Sequence, residues 1–366
     1  MTVHQQFIHW YYDEFRLDEV YLDMDMTSEE SPWHRERTVG VHTDMVVAQY
    51  IARTPLVWLK SDLIGAFAAA FHDVGKPGAM QVVFREDRGE YKRFAGHEQI
   101  SARLWEDWAV RNWTMLSTRF NFEPIDIFRV GFIIEQHLPY GLKHRDKLNS
   151  LMLTLLANGM DKAFINHLMA DTLGRISDDA EEKLANTEEW VGDFENQLIG
   201  VSGHSALYDT RNDRPTMYVP IGASGSGKST LLRSLGDMNV FSLDAMRLEL
   251  YGEPYDYAFI QSTKDKHFRA TCNDRFRDTL RENKDMYLDN TNTSKKNRRF
   301  YITEARNRGY WIAAYLLPVE LRTVINRQKT RDDKEVPVEA VQRQYMGINL
   351  PQIGEFDEIL VSDGNL

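Results

Sequence analysis

The chain is 366 residues long, 42% hydrophobic and 27% charged, with a formal net charge of −11. This is the balance of a globular protein large enough for two separate cores. The negative charge argues against broad coating of nucleic acid, but not against a nucleic-acid end held in a local basic groove.

No apolar run reaches the roughly 18 residues that a membrane helix needs, so no membrane partner is expected. The N-terminal stretch MTVHQQFIHWYYDEF lacks the basic and apolar regions of a signal peptide. Cys272, the single cysteine, has no partner for an intrachain disulfide, which fits a reducing, cytoplasmic location.

In chain order, residues 1–200 are expected to form an all-α domain. The aromatic stretch 7–15 opens it as a helix packed on the rest. The run Asp62–Phe71, DLIGAFAAAF, is apolar and Ala-rich, as in a buried helix. Amphipathic spacing returns at 97–113 and 160–174, with turns at Pro124 and at 138–141. No strand alternation persists in this half. Residues 201–215 collect Gly, Ser, Asn, Asp and Pro, as a linker does. From 216 to 366, strand-like runs at Met217–Ile221, Val240–Leu243, Met286–Leu288 and Trp311–Leu317 alternate with helical patterns. That alternation predicts an α/β domain with a parallel sheet. Residues 295–308 carry six Lys/Arg against one acid, either a solvated helix face or part of a basic groove.

The helical half carries His42, the pair His72-Asp73, His97, His137 and Asp171. A lone histidine is more often a core or surface residue than a ligand, so the signal lies in the ordered set. Imidazole with carboxylate suits Mn, Fe, Co, Ni or Zn without choosing among them. One such ion lowers the pKa of a bound water toward neutrality, and a second clamps the other phosphate oxygens.

The second half opens on Gly222-Ala223-Ser224-Gly225-Ser226-Gly227-Lys228-Ser229-Thr230, a match to G-x-x-x-x-G-K-[ST] between a strand and a helix. Its backbone N–H groups would cradle phosphates, Lys228 would reach the β/γ-phosphates, and the Ser229 hydroxyl would ligate Mg²⁺. About 20 residues on, Asp244 stands at the carboxyl end of the next strand, where it either caps a helix or serves as general base. Arg247 follows on the same helix face and could hold a phosphate. Asp289-Asn290-Thr291-Asn292-Thr293 forms a polar strand exit. Arg327 and Arg331, spaced i,i+4, suit closure over a γ-phosphate, or else a solvated helix face.

The order SPWHRERTVGVH, HDVGKP, FAGHEQISA, EQH and AD resembles the HD phosphohydrolase superfamily, most of all the HD domains of bacterial tRNA nucleotidyltransferases. That resemblance spans about residues 30–175. It implies a metal core of His42, His72, Asp73 and Asp171, with His97 and His137 as the extra ligands of two-metal members. His144 and His167 lie near enough in sequence to compete with His137. Lys76 would meet a substrate phosphate, and His34 would be a second candidate. The order GASGSGKST, SLDAMR, LDNTN and R-x-x-x-R with VPVEAVQRQY looks like the P-loop kinases that phosphorylate 5′-OH polynucleotides. It implies Asp244 as base, Arg247 as contact to the neighbouring 3′-phosphate, and Arg327 and Arg331 as lid arginines.

Together the halves resemble the bacterial HD-Pnk end-healing family. The resemblance implies removal of 2′,3′-cyclic or 3′-phosphate by the first domain and transfer of an NTP γ-phosphate to a 5′-OH by the second. RNA or DNA ends would be the substrates, and a separate polynucleotide ligase the partner. Such a reading calls for a groove near Arg247 and the 295–308 cluster, Arg298 included. The alternatives are a small-molecule nucleotidase fused to a nucleoside or metabolite kinase, and an ATP-gated regulatory HD module.

Overall fold

The structure, a computed structural model, describes residues 1–29, 34–86, 89–139, 145–204, 207, 209–331 and 336–366. The chain divides into two compact units, Met1–Leu207 and Tyr208–Leu366, and the division falls inside the linker-like stretch.

The first unit is helical: α1 Val3–His9, α2 Glu19–Met26, α3 Val39–Arg53, α4 Lys60–Phe71, α5 Lys76–Ala79, α6 His97–Arg111, α7 Trp113–Phe120, α8 Pro124–Gln136, α9 Arg145–Ala157, α10 Asp161–Leu173 and α11 Ala180–Val201. Helix α4 is the hub. Every residue from Leu63 to Phe71 is buried, because α3, α6, α8 and α10 all pack around it. A helix enclosed on all sides has no polar face to show, which is why its sequence reads as one apolar run. Against its Phe67 and Phe71 lie Trp10 and Phe15 from the aromatic N-terminal stretch. That stretch tightens and widens in turn, through a π-helical segment Trp10–Glu14 and a 3₁₀ turn Phe15–Leu17.

One expectation is corrected here. The first unit is not purely helical, since β1 Gln81–Arg85 and β2 Gly89–Arg93 pair as an antiparallel hairpin. Its strands expose Val82 and Phe84 and are rich in charge, so they bury no regular face. Without a buried face the period-two signal is lost, although the β-branched and aromatic content remains.

The second unit holds β3 Thr216–Ile221, α12 Lys228–Leu235, β4 Asn239–Phe241, α13 Leu243–Tyr251, α14 Tyr255–Lys264, α15 Phe268–Arg281, β5 Met286–Leu288, α16 Lys295–Arg306, β6 Trp311–Leu316, α17 Leu321–Lys329, α18 Val338–Met346 and β7 Glu358–Val361. Its five strands are parallel in the order β4-β5-β3-β6-β7. The first strand in sequence is thus central, and the crevice at its carboxyl end opens where the strand order reverses. Strand β7, absent from the sequence reading, is a short edge strand whose residues are at most half-buried.

The basic run is also corrected. Arg298 lies fully buried, bidentate to Glu355 at 2.8 and 2.9 Å and donating to the Asn292 and Asn349 carbonyls. Arg306 is tied to Asp357 and to two backbone carbonyls. Both hold α16 to the segment before β7, and Arg298, being buried, cannot line a nucleic-acid groove. Lys295, Lys296, Arg299, Arg306 and Arg308 are exposed.

Candidate active sites

In the first unit, five helices deliver donors to one buried point. His42 comes from the first turn of α3, and His72 and His137 are the C-cap residues of α4 and α8. His97 opens α6, and Asp171 sits near the end of α10. A helix end leaves its last carbonyls unbonded. The Nδ1–H of His72 donates to Ala69 O at 2.9 Å, and that of His137 to Ile134 O at 2.7 Å. His97 repeats the arrangement on Phe94 O at 2.7 Å. Each bond satisfies a carbonyl and fixes the tautomer, so the Nε2 lone pair faces the centre, as metal-ligating histidines require.

At that centre Asp73 lies 3.1 Å from His97 Nε2 and 3.2 Å from His72 Nε2, with His42 Nε2 at 3.6 Å. Asp171 reaches His42 Nε2 at 3.1 Å and His72 Nε2 at 3.8 Å. The six donors are all buried. Neither Asp73 oxygen nor His72 Nε2 receives a hydrogen bond of acceptable geometry, despite those short distances. Nε2 of His97 and of His137 stand 3.2 Å apart with their Nδ1 protons already committed. Two lone pairs that close repel unless a cation or a proton lies between them. Buried oxygens without hydrogen bonds and opposed lone pairs together fit a metal ion, or two, although Lys76 Nζ already stands 2.7 Å from Asp73 Oδ2. His42-His72-Asp73 and Asp73-His97-His137 each bring ligand atoms close enough to share an ion.

The carboxylates suit a cation, whereas His42 would give up a proton to bind one. Burial penalises the charge on both carboxylates, yet neighbouring cations hold Asp73 and Asp171 well below the usual carboxylate range. Burial likewise opposes a charge on His42, but Asp171 and Glu36 raise its pKa to about 9. His137 is pushed well down by burial and by its histidine neighbours, so it is a neutral donor.

The competing residues separate. His144 lies outside the described residues. His167 is fully buried one helical turn before Asp171, its ring centroid 5.4 Å from that of His72, and burial pushes its pKa down to about 3. His34 bonds Glu36 through Nδ1 at 2.9 Å. Lys76, expected at a substrate phosphate, is buried with its ammonium on Glu29 and 2.7 Å from Asp73. It steadies the carboxylate. Gly75 is required because α6 presses against it; a Cβ there would stand 2.5 Å from His97 O.

Beside the donors opens a cavity of about 310 Å³ lined by Leu138, Asp171, Thr172, Arg175, Lys183, Asn186 and Thr187. The Arg175 guanidinium lies 3.6 Å from Asp171 and leaves its buried Nε without a bond. Arg175 and Lys183 were missed by the sequence reading. The i,i+4 spacing of Asp171 and Arg175 was the available signal for the first.

In the second unit the Gly222–Ser229 loop joins β3 to α12. Gly225 and Gly227 have φ of 92° and 101°, the left-handed backbone that lets successive N–H groups turn inward. Lys228 Nζ donates to the Gly222 and Ala223 carbonyls at 3.0 and 2.8 Å, folded over the loop that it would cross to reach a phosphate. The loop is braced from distant sequence. Asn365 donates to Ser226 O, Gln344 accepts from Ser224 N, and Asn292, itself at φ 51°, donates to Pro220 O. Residues 224–230 line a cavity of about 730 Å³ with Asp244, Asp289, Arg327 and Arg331. Arg327 is held over the loop by Gly225 O at 3.2 Å and Asn365 at 2.9 Å.

Asp244 is not the helix cap. Ser242 caps α13 through Ala245 N, which leaves the Asp244 carboxylate to face the cavity. Its Oδ1 accepts from Arg247 Nη1 at 2.6 Å and from Tyr255 Oη at 2.8 Å. A second cavity, about 770 Å³, lies on the far side of Asp244 and includes Arg247, Tyr255 and Phe259. Asp244 and Ser224 line both cavities, so a group in one can reach a group in the other past that carboxylate.

Residues 217–351 match the family of AAA domains designated AAA_33. The matched stretch takes in the loop, Asp244, Arg327, Arg331 and α18. This AAA-type domain fits a P-loop kinase, which binds a nucleotide with Mg²⁺ and transfers its phosphoryl group. No curated protein matches the chain. No helix among the described residues is long and apolar enough to cross a membrane.

Proposed function

We propose that the protein heals broken polynucleotide ends: the first unit is an HD-type phosphohydrolase that removes 2′,3′-cyclic or 3′-phosphate, and the second phosphorylates a 5′-OH. The reading is supported above all by Asp244, which borders a phosphate-binding cavity on one side and an acceptor-sized cavity on the other.

For the kinase, the acceptor oxygen forms a bond to the γ-phosphorus as the bond to the β-phosphate oxygen breaks. Asp244 takes the hydroxyl proton, a task for which a carboxylate held by Arg247 and Tyr255 is already oriented. Lys228, Arg327 and Arg331 neutralise charge on the transferred group. Ser229 and Asp289 would hold Mg²⁺, which would supply charge neutralisation on the phosphates. For the phosphohydrolase, His42, His72, Asp73 and Asp171, with His97 and His137, would hold one or two transition-metal ions, which supply Lewis acidity and an activated water. Arg175 and Lys183 hold the substrate phosphate beside Asp171. Lys76 keeps Asp73 in place. A separate ligase would then seal the healed ends.

The test is a short RNA carrying a 5′-OH and a 2′,3′-cyclic phosphate, incubated with ATP and Mg²⁺ and, in parallel, Mn²⁺, Co²⁺ or Ni²⁺. Gain of a 5′-phosphate and loss of the cyclic phosphate are expected. Unchanged ends, with free nucleosides or nucleotides reacting instead, would establish a small-molecule enzyme pair.

A further inference from the structure

We propose that Phe259 on α14 is a stacking platform for the base of the acceptor's terminal nucleotide, so that the kinase unit reads a nucleobase-bearing end rather than a bare hydroxyl. The proposal rests on the kinase reading above and names its substrate class.

The second cavity beside Asp244 is lined by two kinds of group. Asp244 and Arg247 suit a hydroxyl and a phosphate, and Asp256 and Gln344 add further polar lining. Next to Arg247, Phe259 and Ile260 from α14 share the lining with Val336, Pro337 and Ala340 at and just before the start of α18. Phe259 is 44% exposed and Ile260 49%, an unusual exposure for two large apolar side chains on one short helix. An occupant that meets both kinds of group carries a hydroxyl and an anion close beside an apolar face.

The Arg247 guanidinium adds direction. It lies 5.2 Å from the Phe259 ring centroid while bonded to Asp244 and, through Nε, to Ser262 at 3.2 Å. Tyr255, one turn before Phe259 on the same helix face, donates to the same Asp244 oxygen. One helix thus places the ring and an orienting hydroxyl at fixed offsets from the carboxylate. A nucleoside has that layout: a hydroxyl to be phosphorylated, a phosphate on the next linkage and a planar base a sugar's width away. Aromatic stacking accepts any base, which suits an enzyme that must act on ends of any sequence.

The experiment compares two oligonucleotides with a 5′-OH, one with an ordinary terminal nucleotide and one whose terminal residue is abasic. They are phosphorylated by wild type, Phe259→Ala and Phe259→Trp. Wild type should show a KM at least roughly fivefold higher for the abasic end, the lower limit of a base–aromatic stack. Phe259→Ala should lose that preference, with its KM for the ordinary end rising to the abasic level and its KM for ATP unchanged. Phe259→Trp should keep it. Equal KM values for both ends in wild type would overturn the proposal. So would a Phe259→Ala variant that is weakened equally on both, since the ring would then act only through Arg247. If wild type phosphorylates neither oligonucleotide but does phosphorylate free metabolites, the polynucleotide reading fails and takes the proposal with it.

Discussion

Residue chemistry in this protein depends on what each side chain is already bonded to. Arg298 and Arg247 read alike in the sequence, as basic residues near a kinase motif. Arg298 is saturated by Glu355 and by backbone carbonyls at full burial. Arg247 shares Asp244 with Tyr255 and lines a cavity. Removing one partner of a buried ion pair strands the other charge, which costs about 3–5 kcal/mol. Arg298→Ala should therefore lower the unfolding free energy of the second unit by that amount and abolish kinase activity only through unfolding. A denaturant titration followed by activity below the midpoint checks this; a stable variant with weakened oligonucleotide binding would return Arg298 to the substrate groove. Lys76 teaches the same lesson in the first unit. It follows the His-Asp pair as a phosphate contact should, yet its ammonium is spent on Glu29 and Asp73.

Individual elements explain why the two sites are built where they are. Three of the clustered histidines stand at helix ends, where a carbonyl three residues back orients each imidazole through Nδ1. The P-loop turns the same logic around, using backbone N–H groups at the start of α12. Its shape depends on Gly225, whose φ is 92° and whose missing Cβ would come 2.8 Å from Gln328 Nε2 and 3.1 Å from Val324 O. An alanine would meet both strained backbone and the α17 carbonyl. Gly225→Ala should raise the KM for ATP at least tenfold, corresponding to about 1.4 kcal/mol, while leaving phosphohydrolase activity intact. A nucleotide-binding titration checks it, and unchanged affinity would mean that the loop relaxes freely.

At the scale of the molecule, each site is made inside a single unit. The donors of the first come from residues 42–171, and the cavities of the second from residues 224–365. Separate construction predicts separable activities. Asp73→Ala should abolish phosphohydrolase and spare the kinase; Asp244→Ala should lower kcat of the kinase by about 10²–10⁴-fold, as expected for a lost general base, and spare the phosphohydrolase. End analysis of one doubly reactive RNA reads both. Either change silencing both activities in a folded protein would contradict the two-site picture.

The sequence by itself determined what is local. The P-loop is contiguous, so its strand, glycines, Lys228 and Ser229 were legible without a structure, as was the parallel α/β pattern behind them. The apolar run of α4 announced a central helix for the same reason. Tertiary structure decided everything that depends on distant partners. It brought His97 to His137 across 40 residues and supplied Arg175 and Asn365. It made Ser242 rather than Asp244 the helix cap, paired a hairpin with no buried face, and buried Arg298. Spacing along a chain fixes which side chains share a helix face. It cannot fix which carbonyl, carboxylate or ring will occupy them, and here those partners decide which residues are free to do chemistry.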